Sequence, residues 1–80
     1  MDEASLNAIR VFPNPTNTVI NVETTREDLA AVVLTNSVGE VVARVYSAQI
    51  DATQFANGLY FVTAIFADGS TSVARVTVLN

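Results

Sequence analysis

Cysteine, histidine, lysine and tryptophan are all absent from the 80 residues. Without cysteine no disulfide can staple the chain, no thiolate can ligate a metal or attack a substrate, and the redox compartment stays undetermined. The joint absence of His, Cys and Lys removes the usual general bases, nucleophiles and Schiff-base formers, leaving only carboxylates, hydroxyls and arginine. Adjacent carboxylates occur at Asp2-Glu3 and Glu27-Asp28, neither with a third acid at calcium-loop spacing, so both read as solvated faces. Gly39, Gly58 and Gly69 lie too far apart for a phosphate-binding loop, and each fits a turn. No apolar run approaches the roughly 20 residues needed to span a bilayer. Four arginines, Arg10, Arg26, Arg44 and Arg75, are scattered against eight acids, and the formal charge of −4 argues against nucleic acid or an anionic membrane surface as partner. The expectation is a domain with no reaction, cofactor or metal of its own. Met1-Asp2-Glu3 has neither the basic nor the apolar region of a signal peptide, so any export address of that kind is expected elsewhere in a longer chain, with Met1 an added residue.

Half of the residues are hydrophobic, enough for one core, and the length suits a single small domain that buries about 60 % of its unfolded surface. Residues 1–7 are polar and are expected to form a loose segment or linker, with the domain proper over residues 8–80. A short strand over residues 8–12, alternating Ile9 and Val11 with Arg10, is stopped by Pro13-Asn14-Pro15, because each proline lacks an N–H. Residues 18–24 predict a half-buried strand, with Ile20 and Val22 inward and Asn21 and Glu23 outward. After a polar loop at residues 25–29, the valine-rich run over residues 30–35 suits a central strand, and Asn36-Ser37-Val38-Gly39 turns it back into residues 41–46, with Arg44 outward. Residues 49–51 are expected to pair briefly through Ile50. Asp51 is placed to cap a single helical turn over residues 52–57, with Phe55 beneath it.

The strongest local signal is the Asp68-Gly69 pair between two β-branched and aromatic runs, which predicts a long hairpin over residues 57–79. Register decides which side chains are buried. A two-residue loop would set Leu59, Phe61, Thr63 and Ile65 beside Ala74, Val76 and Val78. A three-residue loop at Ala67-Asp68-Gly69, with Gly69 at positive φ, instead sets Tyr60, Val62 and Ala64 beside Ala74 and Val76 and turns Thr63 and Arg75 outward. The second is preferred, since burying Thr63 or Arg75 is costly. Tyr60, entering a strand from a loop, is placed like the tyrosine-corner residue of sandwiches, its hydroxyl free to bond the preceding backbone. Seven short strands, turns about every 8–12 residues and no helical period predict an all-β fold, a seven-stranded immunoglobulin-like antiparallel β-sandwich. A ferredoxin-like α+β fold is the poorer fit.

The order of the turns adds a resemblance. Val11-Phe12-Pro13-Asn14-Pro15, Val19-Ile20-Asn21-Val22, the stretch from Val32 through Asn36-Ser37-Val38-Gly39-Glu40-Val41-Val42, Phe55-Ala56-Asn57-Gly58-Leu59-Tyr60-Phe61-Val62 and Ala74-Arg75-Val76 follow one another at spacings that resemble the type A C-terminal sorting domain of the type IX (Por) secretion system. The resemblance spans roughly residues 9–80. It departs from the family at Ser37, usually apolar, at Glu40 and Arg75, where a basic residue and a lysine are usual, and at the ending Val78-Leu79-Asn80, usually basic.

The resemblance implies a C-terminal signal on a larger secreted cargo. The cargo would enter the periplasm under its own signal peptide, and this domain would engage the outer-membrane translocon. A surface sortase, a cysteine peptidase, would then remove the domain and can join the cargo to an anionic lipopolysaccharide at the cell surface. Candidate partner-recognition residues are Pro13, Asn14, Pro15, Gly39, Gly58, Tyr60, Arg75, Val76 and Val78, centred on the last strand and captured through edge pairing or shape complementarity. Two other readings stand beside this one. A non-catalytic adhesive or carbohydrate-binding sandwich would present exposed aromatics such as Tyr46 and Phe61 side by side, and a structural spacer would need no particular surface.

Overall fold

A computed structural model describes residues 9–79, which form seven β-strands and no helix. The expected loose segment at residues 1–7 lies outside the described residues. In chain order the strands are β1 (Ile9–Phe12), β2 (Val19–Thr24), β3 (Leu29–Asn36), β4 (Val41–Val45), β5 (Gln49–Asp51), β6 (Gly58–Phe66) and β7 (Thr71–Val78). They build two antiparallel sheets, one ordered β1-β2-β5 and the other β4-β3-β6-β7. The expected immunoglobulin-like sandwich is therefore the fold found.

Alternation along each strand delivers the core. Ile20, Val22 and Ile50 point inward from the smaller sheet, and Val32, Leu34, Tyr60, Val62, Val76 and Val78 meet them from the larger one. β3 is central, between β4 and β6, and its residues Ala31 through Leu34 are all buried, as a continuous apolar run in mid-sheet requires. On β3 and β4, Leu34 faces Ala43 and Thr35 faces Val41, so Val42 is the extra residue of a bulge.

The terminal hairpin takes the bulged register. Tyr60 faces Val76, Val62 faces Ala74 and Thr63 faces Val73. The Phe66 amide donates to Ser70 O at 2.9 Å, and the Gly69 amide donates back to Phe66 O at 2.9 Å. Gly69 sits at φ +90°, a conformation a side chain would strain. Register and turn agree, so Tyr60, Val62, Ala64 and Phe66 are buried while Arg75 is exposed.

One local expectation differs in form. Residues 52–57 make a hydrogen-bonded turn rather than a helical one: the Phe55 amide donates to Ala52 O at 3.2 Å, and the helical pattern goes no further. Asp51 still caps it, accepting from the Thr53 amide at 2.9 Å and the Thr53 hydroxyl at 2.6 Å. Ala52 is fully buried and its amide is tied to Thr18 O, so the segment is drawn into the core before a helix can propagate.

Candidate functional site: the first corner and the last strand

Pro13-Asn14-Pro15 ends β1 and does more than turn the chain. Both proline peptide bonds are cis, and the corner lies along the outer edge of β7. The Thr77 amide donates to Asn14 Oδ1 at 3.0 Å, and Asn14 Nδ2 makes a long 3.5 Å contact to Arg75 O. The backbone takes over at the next step. The Thr16 amide donates to Thr77 O at 2.9 Å, and the Leu79 amide donates to Thr16 O at 2.8 Å, so Thr16 and Val78 form a parallel bridge.

An edge strand presents unpaired N–H and C=O groups that other chains can pair with, and here the Thr77 amide and carbonyl and the Leu79 amide are occupied from within. Thr16, only 2 % exposed, is satisfied by donating its hydroxyl to Val19 O at 2.7 Å. On the β1 side, Asn21 Nδ2 donates to Phe12 O at 3.2 Å and Gln49 Nε2 donates to Asn21 Oδ1 at 2.9 Å. The corner is thus held from both sheets.

The sequence-predicted residues fall into two groups. Pro13, Asn14, Pro15 and Arg75 are exposed and adjoin one another along β7. Gly58 faces Val78 and Tyr60 faces Val76 across the same end of the hairpin. Val76 and Val78 are 0 % exposed and Tyr60 only 7 %, so these three support the surface from beneath. The Tyr60 hydroxyl donates to Ala56 O at 2.7 Å, the tyrosine-corner bond expected of it, and its ring lies 5.9 Å from that of Phe55. Gly39 is separate: it sits at φ +92° in the β3–β4 turn, across β6 and β3 from the last strand.

Arg26 and Thr16 were not anticipated. Arg26 leaves the β2–β3 loop to make a two-pronged contact with the Asp28 carboxylate. It also donates to Ser70 Oγ at 2.7 Å, reaches Asp68 at 3.2 Å and lies 4.2 Å over the Phe66 ring. The Ala67 amide adds a bond to Asp28 O at 2.8 Å. Asp28 is therefore drawn into a staple between two loops rather than left on a solvated face. The Asp68 carboxyl is held down at about 2, chiefly by the Ser70 hydroxyl and amide, with Arg26 adding to the effect. The one legible hint was Asp-Gly-Ser itself, a sequence whose aspartate accepts from the residue two positions on.

Tyr46 is 77 % exposed beyond the end of β4, whereas Phe61 is half-buried and lies opposite Thr35. Because Val45 faces Val32, the two aromatics are separated by two strand spacings, with β3 between them, and by several residues of register. They do not form a stacking platform for a sugar.

The class is an immunoglobulin-like β-sandwich whose first corner is bonded to its last strand. The chain belongs to the C-terminal sorting domains of the type IX secretion system: the family described as "Secretion system C-terminal sorting domain" matches residues 10–78. No curated protein matches it. Membership makes the domain a sorting signal for export across the outer membrane, recognised by the type IX machinery and not itself a catalyst.

Proposed function

We propose that the domain is captured, folded, by the outer-membrane translocon on behalf of a cargo joined upstream of it. The cargo reaches the periplasm under its own signal peptide. After passage a surface sortase cleaves the domain away and can attach the cargo to lipopolysaccharide. Pro13, Asn14, Pro15 and Arg75 meet the partner, while Gly58, Tyr60, Val76 and Val78 hold the strand beneath them and Gly39 shapes the turn at the far edge of the sheet.

The observation that carries this reading is the double attachment of Asn14 and Thr16 to Thr77, across more than sixty residues of sequence. It creates a surface that exists only in the folded domain. Because Thr77 and the Leu79 amide already spend their edge groups on the corner, shape complementarity to the joined surface is favoured over strand addition there. To test it, a periplasmic reporter is fused ahead of the 80 residues in a host with this secretion system. The Asn14→Ala/Pro15→Ala variant is expected to remain folded by circular dichroism and to lose most export, with uncleaved fusion accumulating in the periplasm. Export and cleavage at the unmodified level would rule out the corner as the recognised feature.

A further inference from the structure

The outer faces of the two sheets differ in kind. On β1-β2-β5 the outward residues include Arg10, Asn21, Glu23 and Gln49, and Arg10 pairs with Glu23 at 3.3 Å. That face is polar, and its one arginine is paired with a carboxylate. On β4-β3-β6-β7 alternation turns the other set outward: Val32, Leu34, Val62, Ala64 and Val76 are 0 % exposed in the core, so Val33, Phe61, Ile65 and Val73 look away from it, interspersed with Thr35, Thr63 and Thr77. Val33, on the central strand, is only 7 % exposed. Val73 is 60 % exposed. The result is a sheet face of valine, isoleucine, phenylalanine and threonine without a carboxylate among the described residues, a composition suited to contact with another protein.

Its charges have one sign. Arg44 lies on β4 opposite Val33, and Arg75 lies on β7 opposite Phe61. The ion pairs among the described residues engage Arg10 and Arg26, leaving these two guanidinium groups unneutralised. Every carboxylate among the described residues is elsewhere: Glu23 and Asp51 on the other sheet, and Glu27, Asp28, Glu40 and Asp68 in loops and turns. In a chain of net charge −4, the only charged side chains that the described residues place on this face are thus cations. With strands about 4.8 Å apart, three strand spacings and one pleat repeat separate the two arginines by about 16 Å. A second copy of this chain is a poor occupant, because face-to-face pairing would bring four guanidinium groups together without a carboxylate.

We propose that this face, flanked by Arg44 and Arg75, is a docking surface for a protein whose own contact surface is apolar at its centre and carries carboxylates at its margins. The proposal rests on the reading of the domain as a sorting signal and places the partner within the export machinery. It extends the recognised surface from β7 across to β4. Apolar contact supplies the buried area, and the arginines supply orientation and discrimination against basic surfaces.

The test uses the same reporter fusion to all 80 residues. Arg44→Glu/Arg75→Glu is expected to lower export at least tenfold, and Val73→Asp to do the same from the apolar side, each with the unmodified circular dichroism spectrum. Arg10→Gln, on the opposite face, is expected to export normally. Should the charge reversal fail to fold, Val73→Asp and the milder Arg44→Gln/Arg75→Gln decide the matter. Normal export of the folded variants overturns the docking face while leaving the sorting function intact, whereas retention of the unmodified fusion overturns the sorting function itself. Sedimentation of the purified chain is expected to give a monomer. A dimer dispersed by Val73→Asp would assign the face to a second copy and overturn the proposal.

Discussion

Arg26 bridges loops that lie more than forty residues apart, and its partners set a measurable acid response. Asp68 titrates at about 2 in the folded chain against an ordinary 3.8. The folded state therefore releases this proton more readily than the unfolded one. Its contribution to stability is complete above the unfolded value and fades as pH falls from about 4 to about 2. Asp68→Asn is expected to flatten that part of the stability profile, read from urea midpoints across the acid range. The residual slope belongs in part to Asp51, whose carboxyl is also lowered, first by the Thr53 hydroxyl and then by its amide. Tyr60→Phe removes the bond to Ala56 O with little change in volume and is expected to cost about 1 kcal/mol in the same measurement. These side chains differ in how they could be foreseen. Tyr60 was legible because a loop-to-strand tyrosine has one common use, whereas Arg26 reaches Ser70 and Asp68 only through the folded loops, which local sequence cannot encode.

Among the strands, those with a local reason to exist were readable and their neighbours were not. The β6–β7 hairpin follows from Asp68-Gly69, and burial of Thr63 or Arg75 in the rival register decided between the two turns. β3 declared itself by its apolar run, although Leu29 joins it where a polar loop was expected, because its side chain packs against the core. The attachment of the first corner to β7 left no trace beyond an asparagine between two prolines. Two substitutions separate the roles at this strand. Val76→Ala, at a position with no exposure, is expected to destabilise the domain by about 2 kcal/mol. Asn14→Ala is expected to cost about 1 kcal/mol and, unlike Val76→Ala, to speed hydrogen exchange chiefly at the Thr77 amide.

The molecule as a whole is closed by its long-range pairings. β3 pairs with β6, β6 with β7, and the corner after β1 returns to β7, so no strand pair stands apart from the rest. Removing residues 74–80 would take Val76 and Val78 from the core, uncover the β6 edge and strip Thr16 of both backbone partners. Such a truncation is expected to show no cooperative thermal transition by circular dichroism. Lost export in that variant would therefore report lost structure, and point substitutions on the surface are the sharper probes of recognition.

The bond between Asn14, Thr16 and Thr77 also imposes an order in time. A ribosome makes the corner early and its partner strand late, so the two can meet only when translation has passed Leu79 and the chain has emerged. Until then the joined surface does not exist. A chain cut short before Thr77 therefore cannot form this corner, whose asparagine side chain and threonine backbone both close on the last strand.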